Sequence, residues 1–471
     1  MMTYEERLKW FHEARFGIYV HFGLYSLLER GEWTMYSERI SPKDYDHLAD
    51  MFNPLPGAAR EWCRLAKRAG AKYIVLTTRH HEGFSLFDSK YSDFTSAKRG
   101  CKRDIVREYV DAARAEGLKV GLYYSLLDWR YPGYFEPAKY PENRDALVEY
   151  VHNQVRELMT NYGEISLLEY DGGWMPDLNP DKEFQINFWR ARELNAMVRE
   201  LQPGIIINNR SGLQEDLDTP EQVIKAATPG RGCESCMCIG DSCCWGYTRF
   251  NPNWKSSTQL IQNLVNAAQG EANYLLNIGP MPDGRLRAEE IERLNDIGDW
   301  MQVNEKAIRK SQRCELIGSS QPGVVDLNLQ GPWTRQGKTG FWHLFRYPGT
   351  VATAVRVGTR PVKAKLLATG EELTVAYDEK YSKMTISGLP ALPYDRHCTV
   401  IEVEFEDIPA CSPNPTKPPG FSDNQYWQFS AGLIFRPAFL LYRFSVKKLP
   451  AEPVCCRNSF SFKFKKANPL L

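Results

Sequence analysis

Apolar runs recur along the first two thirds of the chain, and each is followed by a stretch in which apolar residues return at three- and four-residue steps. Runs over 18–25, 71–78, 119–125, 165–171, 204–210 and 272–279 read as strands, and 61–69, 104–116, 143–161 and 288–304 as helices. Strands alternating with helices argue for parallel β/α units. Each strand run also ends in polar or aromatic residues, which fits a closed (β/α)8-like barrel over 1–311 better than an open doubly wound sheet. Past residue 312 the period changes. Short alternating segments at 340–346, 353–357, 362–367, 383–387 and 400–405, broken by Gly and Pro, predict an antiparallel β-sandwich over 312–407. From 408 to 471 the chain turns Pro-rich and basic without a period, and reads as a disordered or loosely docked tail, with a homo-oligomer contact as the sharper alternative.

Composition changes little in this picture. With 43% hydrophobic and 25% charged residues the chain has the balance of a globular protein. The formal net charge of +1 gives no reason to expect nucleic acid or a membrane surface as partner. Charge is unevenly placed: from 411 to 471 there are nine Lys/Arg against two acids, about +7, leaving the remainder at about −6. No apolar run reaches the length of a membrane span, and the first ten residues lack the apolar core of an export signal. Twelve cysteines without such a signal predict free thiols in a reducing, cytoplasmic setting.

The most informative stretch is ISLLEYDGGW (165–174). An apolar β-prone run stops at Asp171 and two glycines, which places an acid on the C-terminal edge of a buried strand, where barrels keep their chemistry. A helix N-cap is the plain alternative for such an Asp. The other strand ends and the loops after them supply His21, Glu32, Trp33, His80, His81, Tyr123 and Arg210, and the connection after the fifth strand supplies Glu221 and Glu234. Donors and acceptors in several directions with an aromatic wall suit a hydroxyl-rich ligand, and two carboxylates suit glycoside hydrolysis. Taken singly, Glu221 after Thr219 and Pro220 reads as a helix first turn. His80 and His81 make a poor metal pair, because neighbours on a strand point to opposite faces. The cysteines at 233, 236, 238, 243 and 244 include one CxxC but no second pair at zinc-binding spacing, and they fall where a barrel strand is needed. No metal or cofactor is expected.

The motifs FGIYVHFGLYS (16–26), GEW (31–33), AKYIVLTTRHHEGF (71–84), GLYYS (121–125), YDGG (170–173), NNR (208–210), TPEQ (219–222), WGY (245–247) and NYLLNIGP (273–280) resemble, in family order, the α-L-fucosidases of glycoside hydrolase family 29. The resemblance implies a retaining exo-hydrolase that removes terminal α-L-fucose from oligosaccharides or glycoconjugates through a covalent fucosyl-enzyme; the alternative is a catalytically impaired fucose-binding protein on the same barrel. It implies Asp171 as nucleophile, with His21, Glu32, His80, His81, Tyr123 and Arg210 holding sugar hydroxyls and Trp33 and Trp245 in the sugar site. Glu221 matches the position that the family's acid/base often occupies, with Glu234 as the alternative. The chain departs from the pattern at Glu169 and Cys233, where the family carries Trp, at Cys243 and Cys244, which look inserted, and in the tail.

Overall fold

A computed structural model describes residues 2–174, 181–241, 244–251, 253–316 and 330–412. Cys243 and the tail from 413 onward lie outside the described residues. Eight parallel strands form the first sheet: β1 (Phe16–Val20), β2 (Tyr73–Arg79), β3 (Lys119–Ser125), β4 (Leu167–Asp171), β5 (Ile206–Ile207), β6 (Leu217–Asp218), β7 (Gly232–Cys238) and β8 (Asn273–Ile278). Their order, β5-β4-β3-β2-β1-β8-β7-β6, becomes a nearly closed ring because Asn208 after β5 bridges to Leu217 of β6. The barrel anticipated from the strand ends is therefore present.

Both faces of these strands are buried, which is why they read as continuous apolar runs. Alternate residues such as Tyr19, Tyr73, Val75, Tyr123, Leu167 and Leu275 point into the ring and pack on one another. Their neighbours point outward onto helices such as Ala58–Arg68, which buries Ala59, Trp62, Cys63, Leu65 and Ala66 along one stripe. Gly17 in β1 leaves the space that the Tyr73 ring occupies, so a side chain there would displace an inward-facing aromatic. Local caps hold the helices in place. Asp104 accepts from the Arg107 amide at 2.8 Å, and Glu290 takes the Arg287 and Gly279 amides, tying the last barrel helix to the end of β8.

The second sheet is antiparallel and runs β12-β15-β14-β13-β16-β11-β10-β9, with β9 (Gln312–Arg313), β10 (Trp333–Gln336), β11 (Thr339–Leu344), β12 (Val351–Val355), β13 (Pro361–Leu366), β14 (Glu372–Asp378), β15 (Lys383–Ser387) and β16 (Thr399–Phe405). It is one sheet curled as a half-barrel around Trp333, Trp342, Ile386, Ile401 and Val403. The sheet rests on the last barrel helix: the Trp300 indole donates to the Cys398 carbonyl at 2.8 Å, and Lys306 pairs with Glu402 at 2.7 Å. Among the described residues, no helix is long and apolar enough to cross a membrane.

Candidate active site

At the C-terminal end of the barrel strands a pocket opens. Asp171 ends β4 and reaches this pocket because the chain must turn at once. Gly172 adopts a left-handed backbone (φ 65°), and a Cβ at Gly173 would strike the Arg210 carbonyl. The turn is fixed from behind by the Trp189 indole, 2.8 Å from the Gly173 carbonyl, and by the Tyr134 hydroxyl, 2.9 Å from that of Trp174. Asn208 locks β4 to β5 by accepting from the Tyr170 amide (3.0 Å) and donating to its carbonyl (2.9 Å). Two residues on, in a short 3-10 turn, stands Arg210.

The two candidate acids meet at that arginine. Its Nη1 donates to Asp171 Oδ1 at 3.0 Å, its Nη2 pairs with Glu221 Oε1, and Nε and Nη2 also bond the Thr219 hydroxyl and carbonyl, each at 3.0 Å. Tyr123 of β3 donates to the other oxygen of Asp171 at 2.9 Å. Glu221 is not in a helix first turn. It bridges to Cys236 alongside β7, and the Gln222 amide donates to the Cys236 carbonyl at 2.8 Å, so the Pro-containing segment extends the sheet and leaves the carboxylate at the pocket mouth. Desolvation there raises the Glu221 pKa above the ordinary carboxylate value; Arg210 pulls it down, and the negative charge of Asp171 adds to the rise.

The histidines are neutral. Burial drives His21 down to about 4 and His81 to about 3, and holds His80 well below its usual value. Their tautomers follow from their partners. Asn277 donates its amide nitrogen to the Trp245 carbonyl (2.7 Å), so its oxygen accepts from His21 Nδ1 (2.6 Å). Ser125 donates to the Leu127 carbonyl (2.8 Å), so its hydroxyl accepts from His81 Nδ1 (2.7 Å). Each ring thus keeps Nε2 as an acceptor for a ligand hydroxyl, that of His81 lying 3.7 Å from Asp171 Oδ2. The expectation that His80 and His81 face apart is overturned: β2 ends at Arg79, the pleat stops with it, and both rings line the pocket with centroids 4.1 Å apart.

Nine residues singled out from the sequence line this one pocket: His21, Trp33, His80, His81, Tyr123, Asp171, Arg210, Glu221 and Trp245. Glu32 and Glu234 are not among its lining. Glu32 is buried beneath the Trp245 loop and accepts the Trp245 and Gly246 amides at 2.9 and 2.8 Å; burial raises its pKa, against the pull of these donors. Glu234 sits inside β7, below the pocket, bonded to the Tyr73 hydroxyl. The lining also includes Tyr19, Glu169, Trp174, Thr219 and Cys236, which were not singled out as sugar contacts. Trp174 was legible in principle: it follows the two glycines directly, and its ring stacks on Trp33 at 13° with centroids 6.5 Å apart, making a two-sided aromatic rim.

Among the described residues, one group has the composition and closeness to hold a metal ion: Glu169, Glu234 and Cys236, whose ligand atoms lie within 4.8 Å of one another. The cysteine strand places it there, because β7 alternates and sends Glu234 and Cys236 inward together.

The α-L-fucosidase family profile matches residues 2–306. Among characterised proteins, an α-L-fucosidase of Dictyostelium discoideum is 27% identical over 85% of this chain and 92% of its own length, and the human plasma α-L-fucosidase is 32% identical over 64% and 68%. Among solved structures, α-L-fucosidase isoenzyme 1 from Paenibacillus thiaminolyticus superposes with a TM-score of 0.75 at 32% identity, covering 86% of this chain and 100% of its own. An α-L-fucosidase GH29 from Bacteroides thetaiotaomicron, trapped as a covalent intermediate with 2-fluoro-fucosyl fluoride, does so with a TM-score of 0.74 at 27% identity over 85% and 96%. A parallel barrel followed by a curled antiparallel sheet is the architecture these proteins share, and the chain belongs to the α-L-fucosidases of glycoside hydrolase family 29.

Proposed function

We propose that the protein is a retaining, exo-acting hydrolase of terminal α-L-fucosyl linkages in oligosaccharides or glycoconjugates, with Asp171 as nucleophile and Glu221 as general acid/base. The single observation that carries this is Arg210 held between the two carboxylates, since one guanidinium spans a gap compatible with the separation of about 5–5.5 Å that retention requires. In the first step an Asp171 oxygen bonds to the anomeric carbon while Glu221 gives its proton to the departing oxygen. In the second, Glu221 takes a proton from water, which displaces Asp171 and restores both groups. Tyr123 and Arg210 hold the two Asp171 oxygens in fixed directions, so little reorganisation accompanies attack. The neutral His21 and His81 accept from sugar hydroxyls, and the Trp33 and Trp174 rings cover the sugar's open side. Glu234 is the weaker acid/base candidate, being buried inside β7 away from the pocket lining.

The test is turnover of 4-nitrophenyl α-L-fucopyranoside with mass spectrometry on a 2-fluoro-fucosyl adduct. The wild type should hydrolyse the glycoside with net retention and carry the label on the peptide containing Asp171; inversion, or a label elsewhere, would refute the assignment. The buried thiols of Cys63, Cys233, Cys236, Cys238, Cys314 and Cys398, none of them in a disulfide, also support a reducing, cytoplasmic location, which fractionation of the native host would test.

A further inference from the structure

Two residues before Asp171, the same face of β4 presents Glu169. A strand advances about 3.3 Å per residue, so this carboxyl stands about 7 Å deeper in the barrel than the nucleophile. It lines the floor of the pocket with Tyr19 and Cys236, is 3% exposed, and its Oε1 has no hydrogen-bond partner. Glu234 beside it likewise keeps Oε2 without one. The pocket's arginine cannot serve them, since its nitrogens are committed to Asp171, Glu221 and Thr219. The Tyr19 hydroxyl and the Glu234 carboxyl are its side-chain neighbours, so the floor presents a buried carboxyl on the pocket lining with one oxygen, Oε1, that no donor of the protein bonds.

α-L-Fucose has hydroxyls at C2, C3 and C4 and a methyl group on C5. His21, His80, His81, Tyr123 and Arg210 line the same pocket and offer partners for the ring hydroxyls. A methyl group offers Glu169 nothing, whereas a hydroxymethyl group offers an O–H to an acceptor that lacks a donor. We propose that Glu169 accepts a hydrogen bond from the C6 hydroxyl of the terminal sugar, so that the pocket takes α-L-galactosides, the 6-hydroxy counterparts of α-L-fucosides, alongside fucosides. This rests on the hydrolase reading above and leaves its chemistry unchanged: the same anomeric bond breaks, and water supplies the same atoms. Glu169 is here a specificity-determining residue, because a buried group built to bond a hydroxyl discriminates far more strongly than an apolar wall does.

The experiment compares kcat/KM of the full-length enzyme for 4-nitrophenyl α-L-galactopyranoside and 4-nitrophenyl α-L-fucopyranoside, in the wild type and in Glu169→Leu and Glu169→Gln. The wild type should turn over the galactoside at least as well as the fucoside. Glu169→Leu should lower the galactoside-to-fucoside ratio at least about tenfold, with Glu169→Gln, which keeps an acceptor oxygen, falling between. Because the readout is a ratio within one preparation, any remaining fucoside turnover reports that the fold survives. If Glu169→Leu loses both activities, Glu169→Gln and calorimetric binding of L-galactose against L-fucose to the wild type decide. A wild type that strongly prefers the fucoside, with a ratio unmoved by either variant, overturns the proposal and leaves the hydrolase reading standing. A wild type that hydrolyses neither glycoside but binds L-galactose more tightly refutes the hydrolase reading and keeps the floor assignment. A stoichiometric metal ion retained on purification and lost in Glu169→Gln would overturn it too, since the free oxygen would then be a ligand.

Discussion

Asp171 and Glu221 at the mouth of the barrel differ from Glu169 and Glu234 below them less in residue type than in company. The upper pair shares Arg210 and receives Tyr123, so both carboxyls are oriented by donors. The lower pair has the Tyr73 hydroxyl on Glu234, the Tyr19 hydroxyl beside Glu169 and each other, yet one oxygen on each carboxyl is left with no partner. Asp171 and Glu169 even belong to one strand, on one face, a single pleat apart. What separates them is the end of the strand: Asp171 sits where the turn brings in Arg210, while Glu169 is enclosed by inward-facing side chains of the ring. Position along a barrel strand decides whether a carboxylate reaches its partners and the ligand, and burial pushes Glu234 well above the usual carboxylate range, aided by the negative charge of Glu169.

The sharpest way to break this comparison is at its upper end. Asp171→Ala removes the attacking oxygen and should lower kcat on aryl fucosides by about 10⁴-fold or more, while the melting temperature stays near that of the wild type. Equal loss in Glu234→Gln with unchanged fold would erase the distinction between mouth and floor.

A buried carboxylate that does have partners supplies the next contrast. Asp128 is fully buried; burial alone would push its carboxyl up, and Arg130 (2.6 Å) and Arg79 (2.7 Å) more than reverse this, holding it well below the usual range. Arg79 also donates to the Ser125 carbonyl, next to the hydroxyl that orients His81. Asp128→Asn leaves two guanidinium groups facing a neutral amide and should cost about 3–5 kcal/mol in chemical denaturation. A loss under 1 kcal/mol would show water reaching the pair.

Glu221→Ala tests the upper pair from its other side. Turnover of substrates with poor leaving groups should fall by about 10²–10³-fold, that of activated aryl fucosides far less, and azide should restore the latter by taking the place of the missing base. Because the Glu221 pKa is raised, the wild-type rate should decline at high pH as its proton is lost, and this limb should vanish in the variant. A limb that persists would move the acid/base role elsewhere.

Much of this arrangement was legible before any coordinates. Strands with both faces buried announce themselves as apolar runs, and the run at 119–125 coincides with β3. β6 leaves no signal because two residues carry no period, and the run at 204–210 overshoots β5 because its last residues, through Arg210, belong to the turn that follows. In the second sheet, β14 is not evident from its sequence because only Leu373 is buried, while Val375 and Tyr377, which alternate with exposed Glu372, Thr374 and Ala376, are half-buried. Nine of the eleven chosen site residues share the pocket, since strand ends are visible in sequence; the two outside it, Glu32 and Glu234, are acids whose place depends on which way a buried chain faces. The role of Glu169 was the hardest to read. Its importance lies in the partners it lacks, and those are set by residues far away along the chain.

The effect that is smallest per unit of pH extends the contrast to a carboxyl behind the histidines. Glu82 is fully buried, neither oxygen has a hydrogen-bond partner, and the nearest ring nitrogen, His80 Nδ1, is 3.9 Å away. Burial pushes its carboxyl up to about 8 from 4.5. The folded state therefore keeps a proton that the unfolded chain has released, so this group's contribution to stability is complete below pH 4.5 and is lost as the pH rises to about 8. Over that window the wild type should lose up to about 1.4 kcal/mol per pH unit from this group. Glu82→Gln cannot ionise, so its stability should fall less steeply between pH 5 and 8, and the two curves should converge toward parallel at higher pH. Glu290, pushed up to about 7 by burial, remains in both proteins and cancels in the difference. Thermal unfolding of the two proteins across this range reads the slope directly; identical slopes would mean that Glu82 is ionised in the folded protein and finds a donor, which would set it with the mouth pair rather than the floor pair.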